Sequence, residues 1–118
     1  MPKILRRIPF TEALLPAVQD FYSGDELWER EASDWIKGGP GGVVDDMQRG
    51  CEVWLYATED GLLVGFGSLA PSRWQWPLPD SPRISINLIP MLGVQRQFWG
   101  QPDGPPEERF SAQILDNL

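Results

Sequence analysis

Two runs, Glu52 to Thr58 and Leu62 to Ala70, face each other across Asp60-Gly61, and this pair constrains the fold more than any other stretch. In the first run Val53, Leu55 and Ala57 alternate with Trp54, Tyr56 and Thr58, the period-2 pattern of a β-strand. Asp-Gly between two such runs supplies the positive φ that a tight hairpin turn requires. The second run holds Val64, Phe66, Ser68 and Leu69, with Gly65 and Gly67 inside it. Glycine within a strand predicts a bulge or the close approach of another backbone. The chain must therefore contain an antiparallel sheet grown outward from this hairpin.

The flanking segments supply the rest of the layers. Lys3 to Ile8 reads as a first strand closed by Pro9. Thr11 is the N-cap of a helix carrying Leu14, Leu15, Val18, Phe21 and Tyr22 on one face, with Pro16 moving its regular start towards Leu15. Asp25 caps a second helix with Trp28, Ala32, Trp35 and Ile36 on one face, and Lys37 followed by GGPGG ends it. No Lys-Ser/Thr follows those glycines, so they read as a linker and not as a phosphate loop. Pro71 to Pro82 carries four prolines in twelve residues and predicts irregular structure. Trp74 and Trp76 within it read either as a lid or substrate wall, or as a cover for the edge of the core. Ile84 to Val94 reads as a last strand whose ladder Pro90 interrupts, and a helix follows from about Pro106 to Leu118, with Phe110, Ile114, Leu115 and Leu118 on one face. The order β-α-α-β-β-β-α predicts one α+β domain over residues 1–118, an α/β sandwich around a mostly antiparallel sheet of about four strands.

Composition excludes several chemistries. A chain of 118 residues suits one core and not two. Histidine is absent, which removes Ser-His-Asp and Cys-His catalysis and the commonest zinc ligand, so no metal site is expected. The single cysteine, Cys51, cannot form an internal disulfide; it reads as a small core residue of a reducing, cytoplasmic compartment. The start, MPKILRRIPF, lacks the apolar region of a secretory leader, and no apolar run reaches membrane-spanning length. A net charge of −7 argues against nucleic acid as a partner. It suits a cationic small-molecule amine, or serves solubility alone.

Within Ile84 to Leu118, strand, glycine loop and helix start follow one another as in an anion cradle, where unpaired N–H groups face a phosphate. With this unit and the hairpin CEVWLYATEDGLLVGFGSL in place, the chain resembles the first two-thirds of the GNAT (Gcn5-related) N-acetyltransferase family. INLIPMLGV resembles the family's fourth strand, and QFWGQPDG resembles its Q/R-x-x-G-x-G/A loop. The resemblance implies acetyl-CoA as cofactor and acetyl transfer to a small amine. It implies pantetheine along Val94 and Gln95, and pyrophosphate at Gln97, Trp99, Gly100, Gln101 and Gly104. Pro102 departs from the second glycine of the motif, with Gly104 following as its replacement. Pro102, Pro105 and Pro106 remove N–H donors, while Glu107 and Glu108 add negative charge. The family continues with further strands and a helix, so the resemblance also implies a C-terminally truncated fold with an unpaired sheet edge.

Acetyl transfer needs a base for the ammonium and a donor for the thioester oxygen. Glu52 is the candidate base and Tyr56 the candidate acid, with Glu59 and Asp80 as further carboxylates and Ser85 and Asn87 as water holders; Trp74 and Trp76 are the substrate-wall candidates. Two other functions compete. One is an inactive scaffold acting through a protein partner or as a homo-oligomer across the exposed sheet edge. The other is a binding module with Trp74, Trp76, Phe98 and Trp99 as an aromatic platform.

Overall fold

The computed structural model describes residues 4–75, 80, 83–89 and 91–118, with backbone only at 72–75 and 83–88. Every strand pairing is antiparallel, in a sheet of order β1 (Arg6–Pro9), β2 (Glu52–Ala57), β3 (Leu63–Gln75), β4 (Arg83–Leu88), with β5 (Leu92–Val94) also on β3. Among the described residues three α-helices flank it: α1 (Leu27–Lys37), α2 (Val43–Gln48) and α3 (Phe110–Asp116). The α+β class and the antiparallel sheet agree with the sequence. No helix among the described residues is long and apolar enough to cross a membrane.

The hairpin explains why the sheet is buried on both faces. Val53, Leu55 and Phe66 join Phe10, Val18, Phe21, Ala32, Trp35, Ile36, Val43 and Cys51 beneath α1 and α2. On the opposite face Tyr56, Val64, Val94 and Leu5 meet Phe110 and Ile114 of α3. The ladder slips at Tyr56, which pairs with Gly65 while Ala57 pairs with Leu63. Val64 is the extra residue of a β-bulge, and a bulge turns two neighbouring residues to one side. Gly65 meets the other expectation for a strand glycine: a Cβ there would collide with the Gly93 carbonyl and come within 2.9 Å of Ile114.

Local physics moved several boundaries. Pro16 does not delay an α-helix; Glu12–Val18 is a 3-10 helix with Pro16 inside it. Its tighter bonding pattern replaces the α-helical ladder that a proline interrupts. The N-cap of α1 is Glu26 and not Asp25, in a reciprocal capping box with Glu29. GGPGG does not lead straight to β2, because the six-residue α2 follows it, with Asp45 and Asp46 in its first turn favoured by the helix dipole. Asp46 also accepts the Trp35 indole N–H at 2.7 Å, tying α2 to α1.

Pro71 does not end β3, which runs on to Gln75 against β4. Glu52 pairs with Leu69, so β2 has stopped before Pro71 is reached. Strand alternation aims the Pro71 nitrogen at the edge β2 has left, where no ladder donor is needed. Residues 70–75 and 83–88 thus form a two-stranded ribbon extending past the three-layered body. The radius of gyration is 15.8 Å, against about 13.5 Å for a rounder chain of this length.

The expected last strand is two strands. Its ladder breaks after Leu88 and resumes at Leu92, and Pro90 itself lies outside the described residues. The buried Ser68 hydroxyl bridges the resumption, donating to the Met91 carbonyl at 2.8 Å and accepting the Met91 N–H at 3.1 Å. The final helix begins at Phe110; Pro106–Glu108 is a separate 3-10 turn before it.

Candidate functional site: a cleft on the outer edge of β5

The Gln95 N–H donates to Val64 O at 2.7 Å, so Gln95 faces β3. Strand alternation then turns the backbone groups of Leu92 and Val94 outward, away from the sheet. Those residues and Gly93 form the floor of a cleft of about 300 Å³. Trp28 and Ala32 of α1 make one wall, with Ser23 just before the helix. Phe98, Trp99 and Gly100 make another, and Arg109 and Ser111 close an end. The lining is mainly apolar with a few convergent polar groups, the usual character of a small-molecule site.

The cleft mouth is an aromatic ladder. The Trp28 and Trp99 rings stack with centroids 6.1 Å apart and planes 16° apart. The Arg96 guanidinium lies 3.9 Å from the Trp99 ring centroid. Trp99 is further fixed by its indole N–H, which donates to the Val94 carbonyl at 2.9 Å. Trp28 was expected on the buried face of its helix with Ala32, Trp35 and Ile36; instead it is 63% exposed while those three are buried. Its stacking partner comes from the far end of the chain, which helix periodicity does not reveal.

Of the cofactor candidates, Val94, Trp99 and Gly100 line the cleft. Gln95 turns away, its side-chain amide donating to Leu63 O at 2.7 Å. Gln97 and Gln101 bond to each other, side-chain amide of the second to carbonyl of the first, at 3.1 Å. Gly104 is exposed in the following turn, with φ of 132°.

The N–H cradle expected from Trp99 to the helix start is largely consumed within the chain. Trp99, Gln101 and Phe110 donate to Arg96, Phe98 and Gln101 carbonyls at 3.2, 3.1 and 2.8 Å. Pro102 has no N–H to offer, and α3, at seven residues, is short. The cationic group on the cleft is instead the side chain of Arg109, exposed and without a hydrogen-bond or ion-pair partner among the described residues. Arg109 sits at the N-cap position, where no capping side chain marks it. The signal that could have found it was its place as the one cation in the run GPPEERFSA.

Neither catalytic candidate lines the cleft. Glu52 is exposed at the start of β2, opposite Leu69. Tyr56 is fully buried under α3. Burial pushes its phenol up from 10.0, and Arg7 beside it pulls the other way without giving the hydroxyl a hydrogen bond of acceptable geometry. Cys51 is buried, and burial first and the Asp46 charge second push its thiol up, which suits a core residue and not a nucleophile. Trp74 lies in β3 opposite Ile84 by backbone pairing, within the ribbon, and Trp76 lies outside the described residues. No protein-family model matches the sequence, and neither does any curated protein.

Proposed function

We propose that the cleft holds the pantetheine arm of acetyl-CoA and that the chain is a GNAT-like N-acyltransferase acting on a small amine. The observation that carries this reading is the outward-facing edge at Leu92 and Val94, enclosed between α1 and the loop to α3. An extended arm with two amides suits an unpaired strand edge, because such an edge offers alternating donors and acceptors. Arg109 at the cleft end suits the phosphates, through charge-assisted hydrogen bonds. Acetyl-CoA would supply the activated acyl group; these residues bind and orient it. The proposal concerns binding first, because Glu52 and Tyr56 stand apart from the cleft lining.

Calorimetric titration with acetyl-CoA tests it. Binding is expected in the native protein, and Arg109→Ala should weaken it about tenfold, as expected for loss of a hydrogen bond to a charged group. Titrations at millimolar acetyl-CoA that are flat both in the native protein and in Trp99→Phe, which lacks the indole N–H on the Val94 carbonyl, would refute the reading.

A second reading, a homo-oligomer assembled across a sheet edge, is favoured by the ribbon. Its β3 strand has lost β2 as neighbour beyond Leu69, leaving a row of ladder groups along residues 70–75. Sedimentation across a hundredfold range of concentration distinguishes the two, since an unchanged monomer removes the second.

A further inference from the structure

We infer that Trp99 is a gate on the cleft, competing with the ligand for the Val94 carbonyl. The inference rests on the acetyl-CoA reading of the cleft and goes beyond it by assigning a closed state to the free protein. Val94 turns its carbonyl outward, where an amide N–H of an extended ligand would meet it, and that carbonyl already accepts the Trp99 indole N–H at 2.9 Å. The indole ring stands over the strand edge as one wall of the cleft. A ligand laid along Leu92 to Val94 must displace both the hydrogen bond and the ring.

Two contacts hold the closed position. Trp28 stacks on one side of the Trp99 ring, and Arg96 lies over it at 3.9 Å. Arg96 is itself anchored through its N–H, which donates to the Tyr22 carbonyl at 2.8 Å. The Trp99 ring is 38% exposed, so a swing outward meets solvent and not the packed core. Gly100 follows immediately at φ of 72°, a backbone conformation open to glycine, and a Cβ there would meet nothing within 4 Å. The loop therefore has both a clamp and room to move. Binding carries the cost of opening, and loosening the clamp lowers that cost.

The test compares wild type, Trp99→Phe and Arg96→Gln, titrated with acetyl-CoA and with pantetheine alone. Trp99→Phe keeps an aromatic ring and deletes the indole donor. Arg96→Gln loosens the clamp without removing a cleft wall, and uncharged pantetheine makes its result independent of phosphate attraction. Both variants should bind pantetheine about fivefold tighter than wild type, the scale of one net hydrogen bond. Wild-type binding of acetyl-CoA with neither variant tighter for pantetheine overturns the gate and leaves the acetyl-CoA reading intact. Absence of binding in all three proteins overturns both. Binding by the variants alone supports both, with the free protein held shut. If near-ultraviolet circular dichroism shows Trp99→Phe unfolded, Arg96→Gln, altered at an exposed side chain, decides the matter.

Discussion

The two faces of the central sheet are packed by different means. Beneath α1 and α2 the sheet is sealed by large rings in contact: Phe66 meets Phe21 at 5.3 Å and Trp35 at 5.5 Å between centroids. Beneath α3 the sheet presents glycines, Gly65 and Gly67, and the helix lies close against the strand backbone. The first face gains stability from buried area and the second from close fit. The second face also borders the cleft, since Val94 and Phe98 serve both. The first face reaches the cleft as well, through Ala32 of α1, so the candidate site lies where the two kinds of packing meet.

Substitutions can break this contrast, and urea unfolding read by circular dichroism measures each one. Phe66→Ala should have the largest effect, about 3–5 kcal/mol, because it removes a fully buried ring and leaves a cavity between two others. Gly65→Ala should cost less, about 1–3 kcal/mol, and act differently. Its new methyl meets the Gly93 carbonyl, a backbone atom that moves only if β5 separates from β3. Ligand binding should therefore fall together with stability in that variant. Phe66→Ala keeps the β3–β5 pairing and removes only the ring packed under Gly93 of the cleft floor, so its effect on binding should be the smaller. An equal effect of both on binding would erase the distinction between the faces.

Tyr56→Phe should have the smallest effect at neutral pH, because the hydroxyl it removes has no hydrogen-bond partner. The variant sharpens the comparison at high pH. Burial raises the folded-state pKa of the phenol above its ordinary 10.0. Above pH 10 the unfolded chain releases this proton more readily than the folded one. Stability contributed by the neutral phenol is thus fully present below that pH and is lost as pH rises through the folded value. Tyr56→Phe should flatten this alkaline decline, and a decline of unchanged steepness would place its origin elsewhere.

The hairpin was legible because its two signals, period-2 alternation and Asp-Gly, are local and agree. Gly65 and Gly67 were legible as a class, since only close approach or a bulge explains glycine in a strand. The helix α2 was hidden by its brevity and by glycines on both sides. The continuation of β3 through Pro71 was hidden because the tolerance of a strand for proline depends on where its neighbour ends. The cleft draws Ser23, Trp28, Val94, Trp99 and Arg109 from distant stretches, and its polar end lies on a side chain that obeys no periodicity. Val94, Trp99 and Gly100 were found through a motif-like resemblance, which orders residues along the chain. It could not tell which way Gln95, Gln97 and Gln101 turn.

The bulge at Val64 has a consequence for how length is tolerated in this hairpin. Counting from Phe66 towards the turn, the extra residue changes parity, so that inside and outside exchange roles for everything beyond it. A deletion of Val64 would restore strict alternation, with Leu63 still opposite Ala57 on the face it already occupies. It would also withdraw the Val64 carbonyl, the group that aligns Gln95 and thereby aims Val94 into the cleft. One residue in a strand far from the loop thus sets the orientation of the edge on which a ligand would lie.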